Sequence, residues 1–175
     1  VGVKASDIGR TIEKTIKQLG FKPIANLSGH SLGQYTIHAG RSIPNIWSVG
    51  GFSLSENTAY ACEPFVTTVK GGGFVRNGKI KNIFALNSRK KTKNDEADKL
   101  LDYIWEEFNM LPFALRWITK DWEEKNAREL LEQLINKKSV QAYPILIEIN
   151  GQRVAQAEHT FIPNENGVTV TTMVQ

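Results

Sequence analysis

The chain has 175 residues, 41% of them hydrophobic, with 22 Lys and Arg against 18 Asp and Glu and a formal charge of +4. That length suits one domain with a true core, or a domain carrying a small insert. No apolar run approaches the roughly 18 residues that a membrane helix needs, and no secretory leader is visible, so no membrane role is expected. The single cysteine, Cys62, cannot close an internal disulfide and fits a reducing cytoplasm. The mild basic excess serves solubility first and approach to RNA or ribosomes second.

In chain order, "SDIGRTIEKTIKQLG" spaces Ile8, Ile12, Ile16 and Leu19 along one helical face, with Ser6 placed to cap the start and Gly20 to end it. "FKPIANL" reads as a short strand. It leads into a glycine-studded loop, "NLSGHSLGQYTIHAG", that holds His30 and His38, two of the chain's three histidines. "NTAYACEPFVTTV" alternates as a strand with Ala59, Ala61, Glu63 and Phe65 on one face. "KGGGFVRNGKI" predicts a glycine-rich turn with a hairpin at Asn77-Gly78.

"NSRKKTKNDEADK" is a polar connector. Beyond it Ala97, Leu100, Leu101, Ile104, Trp105 and Phe108 recur at helical spacing, with Asn94 or Asp95 as cap. Pro112 opens a short helix through Trp117. Asp121 caps a third, which carries Trp122, Leu130, Leu131, Leu134 and Ile135. "YPILIEI" and "RVAQAEHTFIP" return to strand patterns about a hairpin turn at Asn150-Gly151, and "GVTVTTMV" is a closing strand. The class is α+β. Residues 92–138 read as an inserted helical subdomain, and 1–91 with 139–175 as the body that carries it.

Glu63 in "AYACEPF" and Glu158 in "VAQAEHTF" sit among small and apolar neighbours. A carboxylate on a buried strand is costly unless it is paired, protonated or bound to metal. Each glutamate alone is explained by an edge strand or a salt bridge, and His38 alone by a bond to a loop carbonyl. Together with His30 the two glutamates offer an imidazole and two carboxylates, a set that suits a divalent transition metal. The three lie far apart in sequence, and no local HExxH pair supports them.

"NLSGHSLGQYTIHAGRSIPN", "AYACEPF" and "AQAEHTF", in that order and with the helical stretch between the last two, resemble the type 2 methionine aminopeptidases, the archaeal kind in particular. The resemblance implies the pita-bread fold, a winged-helix-like insert and removal of the initiator methionine from nascent proteins in the cytoplasm. It implies two divalent metal ions (cobalt, manganese, iron or zinc) and attack by a metal-bridging hydroxide. His30, Glu63 and Glu158 match metal ligands, Glu63 also a proton acceptor. His38 matches a catalytic histidine that contacts substrate and leaves the metal alone. Ile37 and Tyr143 resemble residues near the methionine pocket. Alternation turns His159 away from Glu158's face, while Gln156 shares that face and is placed to support it by hydrogen bonding.

The family's two aspartate ligands and a further catalytic histidine have no counterpart here, and Asp7 matches neither aspartate. The chain is therefore expected to correspond to the C-terminal half of the fold, with the N-terminal half of the same enzyme as a partner and ribosomes nearby. A non-catalytic pita-bread homologue that binds RNA, ribosomes or proteins is the alternative. Proline-specific pita-bread hydrolases lack the "GHSLGQYTIHAG" loop and the insert. The mixed charge of the insert's helices argues against nucleic acid as its partner.

Overall fold

The computed structural model describes residues 1–173, which fall into two compact units, 1–76 with 146–173, and Asn77–Ile145. The first unit opens with helix α1 (Ala5–Gln18). Ser6 does not cap it. Lys4 stands at the cap position without a side-chain bond, and Ser6 is buried in the first turn. Tertiary pairing fixes the start instead: Lys4 bridges Ser53, and the Ala5 N–H donates to the Phe52 carbonyl. Gly20 ends the helix as expected, at φ 78°, where any other residue would be strained. Leu19 is left exposed beyond the last turn.

The strands of this unit are β1 (Lys22–Pro23), β2 (Ser28–Ser31), β3 (Ser42–Pro44), β4 (Tyr60–Cys62), β5 (Phe65–Thr67), β9 (Val154–Gln156), β10 (His159–Asn164) and β11 (Gly167–Val170). They form a five-stranded sheet in the order β11-β10-β4-β2-β3 and a three-stranded sheet in the order β1-β5-β9. Each of the two long strands expected here is broken in the middle. "NTAYACEPFVTTV" stops at Glu63-Pro64, where proline offers no N–H to a ladder. "RVAQAEHTFIP" stops at Ala157-Glu158. The two breaks face each other, and there the ribbon leaves one sheet for the other.

The register does not slip across the break. Tyr60 pairs with Phe161 and Cys62 with His159 before it; Phe65 pairs with Gln156 and Thr67 with Val154 after it. Tyr60 is fully buried, stacked between Phe52 and Phe161, and its hydroxyl accepts from the Ser55 N–H. That cluster, with Ile43 and Leu54, anchors the five-stranded sheet.

Glu148 ties down the far end of the ribbon. It is buried, yet no cation faces it. Its two carboxylate oxygens accept from the backbone N–H groups of Gly72, Gly73, Asn150 and Gln152. The Asn150-Gly151 turn is present, with Gly151 at φ 71°. It does not close a hairpin between neighbouring strands, because β9 pairs with β5 instead.

The chain enters the second unit within β6 (Val75–Leu86) and leaves it within β8 (Val140–Glu148); with β7 (Phe113–Ala114) these form a sheet in the order β7-β6-β8. Asn77-Gly78 is not a hairpin. It lies inside β6, and neither residue has the positive φ that such a turn demands. Membership of a long sheet strand beside β8 outweighs the local turn preference. Three helices accompany the sheet: α2 (Asp95–Phe108), α3 (Leu115–Ile118) and α4 (Glu124–Asn136).

Asn94 caps α2, accepting from the Glu96 and Ala97 N–H groups, as the sequence predicts. Asp121 does not cap α4; Glu123 does, through the Asn126 N–H. Pro112 leads into β7 before α3 begins. Leu100, Leu101, Ile104, Leu130, Leu131 and Leu134 are almost wholly buried against Phe84 and Phe113. Each such side chain contributes about 1.5–3 kcal/mol by leaving water, which is what allows short helices to persist.

Burial opposes ionisation of Glu148, but its four backbone donors outweigh it and hold the pKa below the ordinary carboxylate value. A carboxylate lowered in this way contributes stability that is fully present above its unfolded pKa and is lost as pH falls through the folded one. Glu148→Gln is therefore expected to lower the urea midpoint at neutral pH and to flatten its decline on acidification. Denaturation of both proteins at neutral pH and at about pH 3.5 checks the sign.

Candidate metal centre

The site rests on β2, β4 and β10. In β2, His30 pairs with Ala61 of β4, and Gly29 faces Ile43 of β3. Gly29 has to be glycine: a Cβ there would lie 2.2 Å from the Ala61 carbonyl oxygen. The close approach brings the His30 ring to the end of β4, where Glu63 follows. Glu63 falls on the face of Ala61, which is also the face of His30. Continued past Cys62 and His159, the β4–β10 register sets Glu63 directly across from Glu158. Two like charges opposite one another on a ladder are destabilising without compensation.

His30 Nε2 lies 2.9 Å from Glu63 Oε1, with both side chains largely buried. The separation is that of a hydrogen bond, yet the alignment is not, and Oε1 is left without a hydrogen-bond partner. His30 Nδ1 is 3.4 Å from the Ser31 carbonyl, which can only accept, and the donor role of each ring nitrogen depends on the tautomer. In the tautomer with the proton on Nδ1, Nε2 points a lone pair at a carboxylate lone pair. Such a contact calls for a proton or a cation between the two. Burial, and then the charge of Glu158, push the Glu63 pKa up to about 7.

Gln156 supplies the remaining link. Its Nε2 donates to Glu63 Oε2 at 3.0 Å and to Glu158 Oε2 at 3.5 Å. The three expected ligands thus share one face without closing around a single point: among the described residues, no group of three or more His, Cys, Asp or Glu side chains is arranged to hold an ion. The amide between the two carboxylates keeps their repulsion in check. His159 sits on the opposite face, its Nδ1 3.0 Å from the Thr172 hydroxyl.

His38 returns to the site through a tight reversal. Gly33 and Thr36 exchange backbone bonds, Tyr35 takes a φ of 53°, and Ala39 N–H donates to the Ser31 carbonyl. The His38 ring meets His30 edge to face, with centroids 4.3 Å apart. Burial first, and the neighbouring His30 second, lower the His38 pKa, so it is neutral at physiological pH. Ile37 is half-buried in the same loop. Tyr143 belongs to the second unit, where its hydroxyl accepts from Gln141 Nε2. The importance of Gly29 escaped the sequence reading, although a glycine inside a strand signals a close backbone approach.

The donor types, one imidazole nitrogen and carboxylate oxygens of which one is buried and orphaned, suit a divalent cation, although the side chains are not gathered around one point.

Residues 1–83 match metallopeptidase family M24. The chain is 39% identical over 173 residues to the methionine aminopeptidase of Saccharolobus solfataricus, and 41% over 172 residues to that of Thermococcus onnurineus. Each alignment takes in 98% of this chain. The chain is similar over nearly its whole length to these archaeal methionine aminopeptidases. It spans 57% and 58% of the length of those two.

Among solved structures, a thermophilic Arx1 superposes with a TM-score of 0.80 at 17% identity, over 96% of this chain and 45% of that one. Methionine aminopeptidase from Rickettsia prowazekii gives 0.55 at 16% identity, over 98% and 44%. The fold is the α+β pita-bread fold that these structures share.

The Gly29 contact generates a test of how the site is built. Gly29→Ala is expected to cost about 1–3 kcal/mol, the usual price of overpacking, because β2 has to move off β4. Chemical denaturation gives the cost, and the His30 imidazole shifts in NMR report whether the ring leaves Glu63.

Proposed function

We propose that this chain contributes His30, Glu63 and Glu158 to the divalent-metal centre of a methionine aminopeptidase, which removes the initiator methionine from nascent chains. The observation that carries the reading is the buried, unpartnered Glu63 oxygen facing His30 Nε2. A cation there would neutralise the carboxylates and use both lone pairs. When bound, divalent ions supply Lewis acidity and lower the pKa of water toward about 7.

The chain's own residues then have separate tasks. Glu63, with a pKa near 7 before any cation binds, is suited to take up a proton and release it. His38, whose pKa burial and then His30 lower, can donate a hydrogen bond from its neutral ring to the oxygen of the scissile carbonyl as charge develops on it. Gln156 orients the two carboxylates. Ile37 and Tyr143 are assigned to the methionine pocket. Two metal ions per site, cytoplasmic action, work close to the ribosome and completion of the site by an N-terminal half belong to the same proposal. So does the division into an insert at 92–138 and a body around it.

The experiment pairs His30→Ala with His38→Ala in the chain supplied with the upstream half of an archaeal relative. Manganese or cobalt is added and a methionyl peptide is the substrate. His38→Ala is expected to cut turnover about 100- to 1000-fold with metal content near that of the parent, whereas His30→Ala loses metal as well. Loss of metal from His38→Ala would make that residue a ligand. A parent protein that binds metal and releases no methionine would favour a non-catalytic homologue.

A further inference from the structure

The second unit carries a groove that the proposed chemistry does not use. It runs between β6 and α4, with a cavity of about 580 Å³. Phe84, Leu131 and Ile135 form its apolar floor, Ile80, 55% exposed, stands at its mouth, and Lys79, Lys81 and Glu132 border it. A second hollow of about 260 Å³ continues it past Asn82 and Arg128 toward Arg116. Beside the groove, one edge of β6 is open: β7 pairs only with Ile83 and Phe84, and among the described residues no strand extends that pairing to residues 79–82.

Alternation puts Ile80, Asn82 and Phe84 on the face toward α4 and Lys79 and Lys81 on the other. Phe84 in the helical core and the Arg128–Asn82 hydrogen bond confirm which face is which. Arg128 is paired with Glu124, but neither Lys79 nor Lys81 has an ionic partner among the described residues. Lysines on an edge strand repel a second basic edge, and the same charge attracts an acidic one.

We propose that this edge and groove bind an extended peptide of alternating acidic and apolar residues, added as a strand along residues 79–82. Backbone bonds to the open edge hold it, one row of side chains enters the groove, and the other meets Lys79 and Lys81. A nucleic acid would use the lysines but leave Ile80, Leu131 and Ile135 without a role.

The probe is a short fluorescent peptide alternating glutamate and valine, set against a lysine–valine counterpart, with the 175-residue chain. Binding of the acidic peptide at least about 10-fold tighter than the basic one is expected, weakening as salt rises. Amide exchange should slow at residues 79–82. Lys79→Glu with Lys81→Glu should weaken binding at least about 10-fold, and Ile80→Lys should weaken it with the lysines intact. Circular dichroism verifies each fold. Equal affinity for both peptides, no protection at 79–82, or tighter binding of an RNA oligonucleotide to this face would overturn the proposal. If the double variant unfolds, the salt dependence and exchange of the parent protein decide the matter.

Discussion

The antiparallel register that runs unbroken from Tyr60–Phe161 to Thr67–Val154 is the constraint on which the site depends. Both strands interrupt at the same level, and the ribbon changes sheets there without losing step. One residue on each side of the interruption is a glutamate, so keeping step means setting two carboxylates face to face. Every other feature of the site manages that consequence. Gln156 donates to both, Glu63 holds its proton up to about pH 7, and His30 approaches from the next strand with its lone pair forward.

Local repulsion of this kind is costly in a protein that has no use for it. It is tolerated here because the surroundings are rigid. Tyr60 is stacked and hydrogen-bonded on one side, and Glu148 gathers four backbone donors at the other end of the ribbon. The two glutamates illustrate opposite solutions to one problem. Glu148 is buried among N–H groups that favour its charge, and its pKa falls; Glu63 is buried beside another carboxylate, and its pKa rises.

Much of this was legible from sequence because polar residues in apolar strands stand out. Glu63, Glu158 and the two loop histidines stand out as candidates from the sequence alone, and Asn94 has the position of a cap before a helical run, which it is. What the sequence concealed were the places where long-range pairing overrules local preference. Ser6 has the chemistry of a cap but lost the position to a bridge between Lys4 and Ser53. Asn77-Gly78 has the chemistry of a turn but was drawn into β6. The strand breaks at Glu63 and Glu158 were also hidden, since alternation continues through them and only the change of sheet partner reveals them.

Side chains alternate with a period of two, so the register of the ribbon carries a parity. A single residue inserted or deleted between Tyr60 and Thr67, or between Val154 and Phe161, would turn one glutamate to the face now held by His159 and leave the other facing nothing. Two such changes, one in each strand, would restore the pairing but not the meeting with His30, which is fixed by β2. Changes of length are thus best accommodated in segments outside the ribbon, such as the loop 47–51, and the distance in residues between Tyr60 and Glu63 is as much a part of the site as the glutamate itself.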